Sequence, residues 1–580
     1  MIALIAENLA PIMFFSLVLL LLLGYPVAFT LAAHGLIFFI IGVELAHLAP
    51  DQINLSWPLL QALPNRILDV MGSETLLAIP FFTFMGLVLE RSGMAEDLLE
   101  TVGQLFGPVR GGLAYAAILV GAVLAATTGV VAASVIAMGL ISLPVMLRYG
   151  YSRTLATGSI AAAGTLAQII PPSLVLIVMA DQLGRSVGDM YAGALLPGLI
   201  LTGIYCLYVF GLTLVNPAAA PAMPPETRTL GPGGWSLPSM VIVAVGIAYG
   251  ATMYFSTFVT QGAAVWGAAV GVLAAYAAAL GDHWLKLGLL SRLTQQIVMV
   301  LIPPLALIFL VLGTIFLGIA TPTEGGAMGA AGAVLLAFAK GRLSFDMLRQ
   351  SVEATARLAT FVMFILIGAR VFSLTFYGVN GHVWIENLLL NLPGGQIGFL
   401  IFVNILVFVL GCFLDFFEIA FIVIPLLAPV AAKLDIDLIW FGVIIAMNLQ
   451  TSFLTPPFGF ALFYLRSIAP ASDYVDKLTG RAIKAVGTLE IYRGAIAFIV
   501  LQAIMIAIVI AFPGLVTHYK EEGPKVDPAT IEIPAPVFGK DGPAPPSGLS
   551  LPPGGPAGLG LPTAPPSLDL GKPPEIPAPK

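Results

Sequence analysis

The chain has 580 residues, 59% of them hydrophobic and only 10% charged, with 25 basic against 31 acidic side chains. Soluble proteins average about 25% charged residues, so the composition excludes an ordinary soluble enzyme and predicts an all-α polytopic membrane protein, embedded in a lipid bilayer. The net charge of −6 carries no nucleic-acid signature, and Cys206 and Cys412, both in apolar runs, offer no disulfide or metal framework.

The N-terminus, MIALIAENLAP, has no basic region, so no cleavable signal peptide is expected. Full spans are predicted near 9–25, 27–43 and 76–92, then an amphipathic arm at about 94–106. The apolar stretch of about 111–147 is interrupted at Ala126-Thr-Thr-Gly129. Arg110 precedes it and Arg148 and Arg153 follow it. Cytoplasmic loops gather Lys and Arg, so both ends lie on one side and the stretch reads as a re-entrant hairpin. A span at 151–183 is broken at Ile169-Ile-Pro-Pro-Ser173, and a further span covers 190–213. Proline removes a backbone donor and clashes with the preceding turn, so the helix parts there. Two inserted helices follow at 237–255 and 262–281, then spans at 295–318, 320–340 and 356–376 and a second arm at about 381–392. A second interrupted stretch, about 398–431, breaks around Gly411–Asp415, with no basic excess at its flanks, and suits the opposite face. The span at 438–467 is broken at Leu454-Thr-Pro-Pro-Phe458, and the last covers 491–512.

The order of elements repeats. Thr128 to Pro171 is 43 positions and Asp415 to Pro456 is 41. Asp189-Met-Tyr-Ala-Gly-Ala is answered by Glu490-Ile-Tyr-Arg-Gly-Ala. The organisation expected is a first repeat at 1–213, a linker with two inserted helices at 214–294, a second, inverted repeat at 295–512, and a Pro-rich tail at 513–580. Seventeen of the 62 residues from 519 onward are proline, a composition expected to stay extended and to be dispensable. Twelve crossings and two hairpins put every basic cluster inside and both termini outside, in the periplasm.

Inverted repeats with broken helices are the architecture of secondary transporters, in which unwound backbone near mid-membrane serves ions and substrate. Two hairpin–break pairs imply two ion sites with a substrate site between them. Intramembrane charges add candidates. Asp415, at a hairpin tip, is placed to serve a cation; Glu418, one turn on, to pair with another helix; Glu324, after Thr321-Pro-Thr, to cap a helix. Arg370 either snorkels outward or meets the carboxylate of an acid substrate. His34, His47, His283, His382 and His518 have no metal-ligand spacing, and neither Gly-x-Ser-x-Gly nor a phosphate loop is present, so the chain reads as no enzyme and no ATPase.

Five motifs, Gly24-Tyr-Pro-Val-Ala-Phe29, Pro144-Val-Met-Leu-Arg-Tyr-Gly-Tyr151, Ile169-Ile-Pro-Pro-Ser173, Gly318-Ile-Ala-Thr-Pro-Thr-Glu-Gly-Gly-Ala327 and Leu454-Thr-Pro-Pro-Phe-Gly459, give residues 1–512 a resemblance to the large membrane subunit of TRAP (tripartite ATP-independent periplasmic) transporters. That resemblance implies an elevator-type carrier in a bacterial inner membrane that imports small organic acids with sodium as coupling ion and no other cofactor. The partners it implies are a small membrane subunit, expected as a separate chain, and a periplasmic substrate-binding protein. Two subtype marks, Asn448–Gly459 and Gly368-Ala-Arg-Val-Phe372, resemble members handling 2-oxo or hydroxy monocarboxylates; C4-dicarboxylates stay open. Carried over by position, the first cation site joins Thr127, Thr128 and Gly129 to Gly164, Thr165 and the carbonyl of Ile169 or Ile170; the second joins Gly411 and Asp415 to Thr451, Ser452 and Thr455. Where the family commonly has a Gly-Ser pair at the first tip, this chain has Thr127-Thr-Gly129, which keeps a hydroxyl for a hard cation. The competing reading of these small and hydroxylated residues is tight helix packing. A carboxylate symporter without a binding protein, or a channel, is the alternative function.

Overall fold

The computed structural model describes residues 2–520 apart from 229, 231–234, 259–261 and 477–478, and leaves the side chains of Thr127 and Thr128 aside. The Pro-rich stretch from 521 onward lies outside the described residues. In chain order the first helices are α1 (Ile2–Glu7), α2 (Leu9–Leu22), α3 (Val27–Leu45), α4 (Leu63–Met71), α5 (Glu74–Arg91) and the arm α6 (Met94–Phe106). The first hairpin is α7 (Gly112–Thr128) and α8 (Val131–Arg148); the broken helix is α9 (Arg153–Thr165) and α10 (Leu174–Leu183); α11 (Val187–Val215) closes the half. The inserted pair is α12 (Ser236–Phe255) and α13 (Ala263–Leu285). The second half runs through α14 (Arg292–Phe316), α15 (Pro322–Ala339), α16 (Phe345–Gly378) and the arm α17 (Gly381–Leu390). Its hairpin has one limb in α18 (Gly395–Gly411) and a return limb in α19 (Phe416–Ile422) and α20 (Ile424–Lys433). Its broken helix is α21 (Leu438–Phe453) and α22 (Phe460–Ile468); a strand pair, β1 (Tyr474–Val475) with β2 (Ala482–Ile483), leads to α23 (Thr488–Ala511) and the short α24 (Gly514–Thr517).

The packing obeys a pseudo-two-fold. Equating α3 with α15 and α5 with α16 turns the α5–α15 contact into the α16–α3 contact, and both are extensive. The same exchange turns α9 on α23 into α21 on α11, and α8 on α22 into α19 and α20 on α10. The two repeats share one core: residues 1–521 cluster as one unit. The deepest burial lies on the broken helices. Every residue from Leu155 to Thr165 is buried, as is every one from Phe441 to Leu454. Buried polar side chains gather there too: Thr157, Ser159, Thr165, Gln168, Asn448, Gln450, Thr451 and Ser452. The outer helices expose apolar surface instead, α12 most fully, as lipid contact requires.

Several elements differ from expectation. Among the described residues eight single helices are long and apolar enough to cross a membrane, α8 of the hairpin among them; Trp57–Met71 with α5, α17 with α18, and α19 with α20 reach that length only as bent pairs. Helix α4, nine residues with Asn65, Arg66 and Asp69 on one face and Leu63, Ile67 and Val70 on the other, is too short to span alone and joins α5 only across a 45° bend. Helix α16 starts at Phe345, where Ser344 accepts the Met347 amide as an N-cap, eleven residues before the span expected at 356–376. The return limb of the second hairpin bends by 53° at Val423, where Pro425 opens α20. The strand pair β1–β2 is a small departure from an all-α chain.

Close approach replaces side chains where halves meet. A Cβ on Gly158 of α9 would overlap the Gly494 carbonyl of α23, and one on Gly494 would overlap the Thr154 carbonyl. Gly267 and Gly271, four apart, let α13 touch the α12 backbone at Ala248. A Gly158→Leu carrier therefore has no room for its side chain. Overpacking costs about 1–3 kcal/mol or more, and folded yield by size-exclusion chromatography should drop several-fold.

One polar face is clamped by ion pairs. Arg148 at the end of α8 bonds Asp476 in the β1–β2 turn at 3.1 Å, and Arg153 at the start of α9 meets Glu490 of α23 at 2.8 Å. The Thr479 hydroxyl, with its backbone N–H and Arg148, holds the Asp476 carboxyl below the usual carboxylate range. A carboxylate with a lowered folded value stabilises the fold above its unfolded value of about 3.9 and stops doing so as pH falls through the folded one; the clamp is therefore intact at neutral pH. On the same face Arg342, after α15, reaches Asp97 of the arm α6 at 3.0 Å and the Ser92 carbonyl at 3.1 Å, pinning the arm.

Candidate functional site

Each hairpin tip lies against the broken helix of its own half. Gly129, with φ +59°, ends α7; a Cβ there would come within 3.1 Å of Leu174 Cγ, 3.2 Å of its amide nitrogen and 3.7 Å of the Pro172 carbonyl. Only glycine takes this backbone without strain. In the second half a Cβ on Gly411 would overlap the Ser452 hydroxyl. The two breaks match: each holds a cis peptide between its prolines, Pro171-Pro172 and Pro456-Pro457.

The sequence candidates fall unevenly around these contacts. Thr127 and Thr128 complete the last turn of α7, their side chains outside the description. Gly164 is not at the tip: it packs on the Val135 backbone of α8, 3.0 Å from where its Cβ would sit. Thr165 is fully buried, donates to the Ala162 carbonyl at 2.9 Å and faces Gln450 across the interface of the halves. The Ile169 carbonyl lies beside Gly198 of α11, and Ile170 packs there too. The tip thus meets the far edge of the break, Pro172–Leu174, while Gly164, Thr165 and Ile169 line its near edge.

At the second site Thr451, Ser452 and Thr455 donate their hydroxyls to the carbonyls of Met447, Leu449 and Thr451 at 3.0, 2.8 and 2.9 Å. Each proton is tied into the helix, so the oxygen lone pairs remain for a cation. Of the three, Ser452 faces the tip. Asp415 is the N-cap of α19: its Oδ1 accepts the Phe416 amide at 2.7 Å, and Glu418 accepts the Asp415 amide at 3.0 Å. Glu418 therefore binds this cap, and among the described residues neither carboxylate has an ion-pair partner within 4 Å. Glu324 caps α15 reciprocally with Thr321, as its position after Thr-Pro-Thr suggests.

Arg370 sits further along its helix than a start at 356 implies, eight residues before the end of α16, or about 12 Å. Its Nε is buried and has no acceptor among the described residues. The Asp181 carboxylate of α10 lies within electrostatic range of its guanidinium and accepts a bond from Ser73, the N-cap of α5, at 3.3 Å.

Sequence reading missed a buried polar cluster at the centre. The Tyr205 hydroxyl on α11 accepts from Gln502 of α23 at 2.6 Å and from Gln450 of α21 at 3.4 Å, and Gln450 also donates to Thr165 at 3.4 Å. All four side chains are at most 1% exposed. The signal was available: Thr165 and Gln450 each stand six positions before the first proline of their break, so repeat-equivalent residues meet on the pseudo-two-fold. Removing the Tyr205 hydroxyl strands the Gln502 amide in a membrane interior. Such bonds contribute roughly 0.6–2 kcal/mol, and Tyr205→Phe should lower the thermal unfolding midpoint of the purified carrier by a few degrees.

A family model described as the tripartite ATP-independent periplasmic transporter, DctM component, matches residues 14–515. The C4-dicarboxylate TRAP transporter large permease protein DctM of Pseudomonas aeruginosa is 27% identical over 425 residues, covering 72% of this chain and 82% of that one. Its Vibrio cholerae namesake is 26% identical over 530 residues, covering 87% and 99%. Among solved structures, the YdaH transporter of Alcanivorax borkumensis superposes with a TM-score of 0.52 over 83% of this chain and 98% of its own, at 12% identity, a likeness of fold alone. With five motifs, the pseudo-two-fold and a family match over nearly all its described length, the chain belongs to the DctM component family of tripartite ATP-independent periplasmic transporters.

Proposed function

We propose that the chain is the large permease subunit of a binding-protein-dependent carrier that imports a small organic acid, driven by a sodium gradient. The observation that carries this reading is the pair of tip-to-break contacts, Gly129 on Pro172–Leu174 and Gly411 on Ser452. Each brings hydroxyl or carbonyl oxygens and unwound backbone together inside the membrane, the oxygen-only chemistry of a hard monovalent cation. The first sodium site draws on Thr127, Thr128, Gly129, Gly164, Thr165 and Ile169, the second on Gly411, Asp415, Thr451, Ser452 and Thr455. Arg370 is the substrate candidate, because a guanidinium with an unused donor fits a carboxylate. The relatives named for C4-dicarboxylates favour that class, with 2-oxo and hydroxy monocarboxylates next. The partners are a small membrane subunit and a periplasmic binding protein, and the hairpins and broken helices move as one body in an elevator cycle in the bacterial inner membrane.

In this topology Lys484 is cytoplasmic and Asn391, in the α17–α18 turn, periplasmic. Cysteines at these exposed positions should label with an impermeant maleimide from opposite sides of oriented vesicles. Labelling of both from one side refutes the inverted arrangement. The function is tested by identifying the ligand of the cognate binding protein and asking whether its uptake needs this chain; uptake unchanged without the binding protein would leave the simpler symporter.

A further inference from the structure

The clamped face holds a cavity separate from the candidate cation and substrate residues. About 450 Å³ in volume, it is walled by the end of α8, the turn into α9, strand β2 and the start of α23. Four cations line it, Arg148, Arg153, Arg481 and Lys484, against one carboxylate, Glu490. Glu490 is held by Arg153, and Asp476, outside the lining, is held by Arg148. Arg481 and Lys484 have no ion-pair partner among the described residues, so the cavity keeps two uncompensated positive charges. Two hydroxyls stand beside them. Ser152 does not cap α9; its hydroxyl meets that of Thr154 at 2.8 Å, leaving the first-turn amides of α9 without a side-chain cap.

We propose that this cavity binds a phosphate group, offered either by an anionic phospholipid headgroup or by a soluble phosphate. Three features converge on that chemistry. Two free cations match a monoanion or dianion. Hydroxyls and an uncapped helix start favour oxyanions over halide. The volume of about 450 Å³ admits a phosphate headgroup. The ligand spans both repeats, because Arg148 and Arg153 belong to the first and Arg481 and Lys484 to the second, so its binding braces the hairpin exit against α23. In the topology proposed above the cavity opens at the cytoplasmic boundary, where basic pockets meet anionic headgroups.

The test uses the full chain, purified in detergent, and two probes. Native mass spectrometry with phosphatidylglycerol measures the lipid arm, and equilibrium dialysis with radiolabelled inorganic phosphate the soluble arm. Each basic residue near an anionic headgroup contributes roughly a five-fold gain in partition, so Arg481→Gln with Lys484→Gln should lose about ten-fold or more in retention of the probe that binds. Both side chains are exposed, so folded yield should match the parent. The charge-preserving pair Arg481→Lys with Lys484→Arg should retain binding. Loss confined to phosphatidylglycerol assigns the headgroup; loss confined to inorganic phosphate assigns the soluble ion. Equal retention of both probes by parent and Gln variant overturns the proposal, whatever the transport rate.

Discussion

Replacing sodium by potassium on both sides of proteoliposomes, with the partner subunit and loaded binding protein present, is expected to abolish concentrative uptake. The reasoning starts from chemistry available to the chain. The proposed cation sites make a sodium gradient the expected energy source, and the sequence offers no phosphate loop as an alternative. Tenfold in concentration is worth about 1.4 kcal/mol. Two sodium ions moving down a tenfold gradient therefore support at most about 100-fold accumulation of a neutral complex, and one ion about tenfold. Any net positive charge adds about 2.3 kcal/mol per 100 mV. The plateau of accumulation thus counts the coupled ions as well as testing for them. Uptake undiminished in potassium buffer removes sodium from the mechanism; a plateau that stays near tenfold with a tenfold gradient and no potential removes one of the two sites.

The architecture behind that expectation was largely open to sequence reasoning, for physical reasons. The arm α6 occupies Met94–Phe106 because its apolar residues recur at helical spacing beside acidic ones, the strongest local signal a chain carries. The breaks at Pro171 and Pro456 were legible because paired prolines cannot continue a helix. Hidden features were of two kinds. Some are caps, such as Ser344, whose single hydrogen bond extends α16 by about three turns through a polar segment that reads as loop. Others are contacts between distant residues, such as Tyr205 with Gln502, 297 positions apart, for which no local pattern exists. The near edge of the first site shows the limit most clearly. Small residues at Gly164 and Thr165 suggested a partner for the hairpin tip, but the same smallness serves close packing on Val135 and contact with Gln450.

That ambiguity between ligand and packing is sharpest at Ser452, and there it can be resolved. Ser452→Ala is expected to raise the sodium concentration for half-maximal uptake by about 10- to 100-fold. The estimate follows from losing one neutral oxygen to a charged partner, roughly 1.5–3 kcal/mol. The hydroxyl is fully buried, gives its proton to the Leu449 carbonyl and sits where Gly411 lacks a side chain. Thr451→Val, which loses a hydroxyl tied to Met447, should move sodium affinity in the same direction and by less, because Thr451 is not the residue against the tip. Packing makes a different forecast. If small size is all that Ser452 supplies, alanine serves equally well, and the sodium curve per folded carrier stays where it was. Gly411→Ala supplies the converse. Its methyl overlaps the Ser452 hydroxyl and should depress uptake in either case. Pairing it with Ser452→Gly restores the space and removes the oxygen. Under ligation the double variant folds normally yet keeps the high sodium requirement; under packing it recovers both. Recovery of the parental sodium curve in Gly411→Ala/Ser452→Gly, normalised to folded protein, would exclude Ser452 as a sodium ligand.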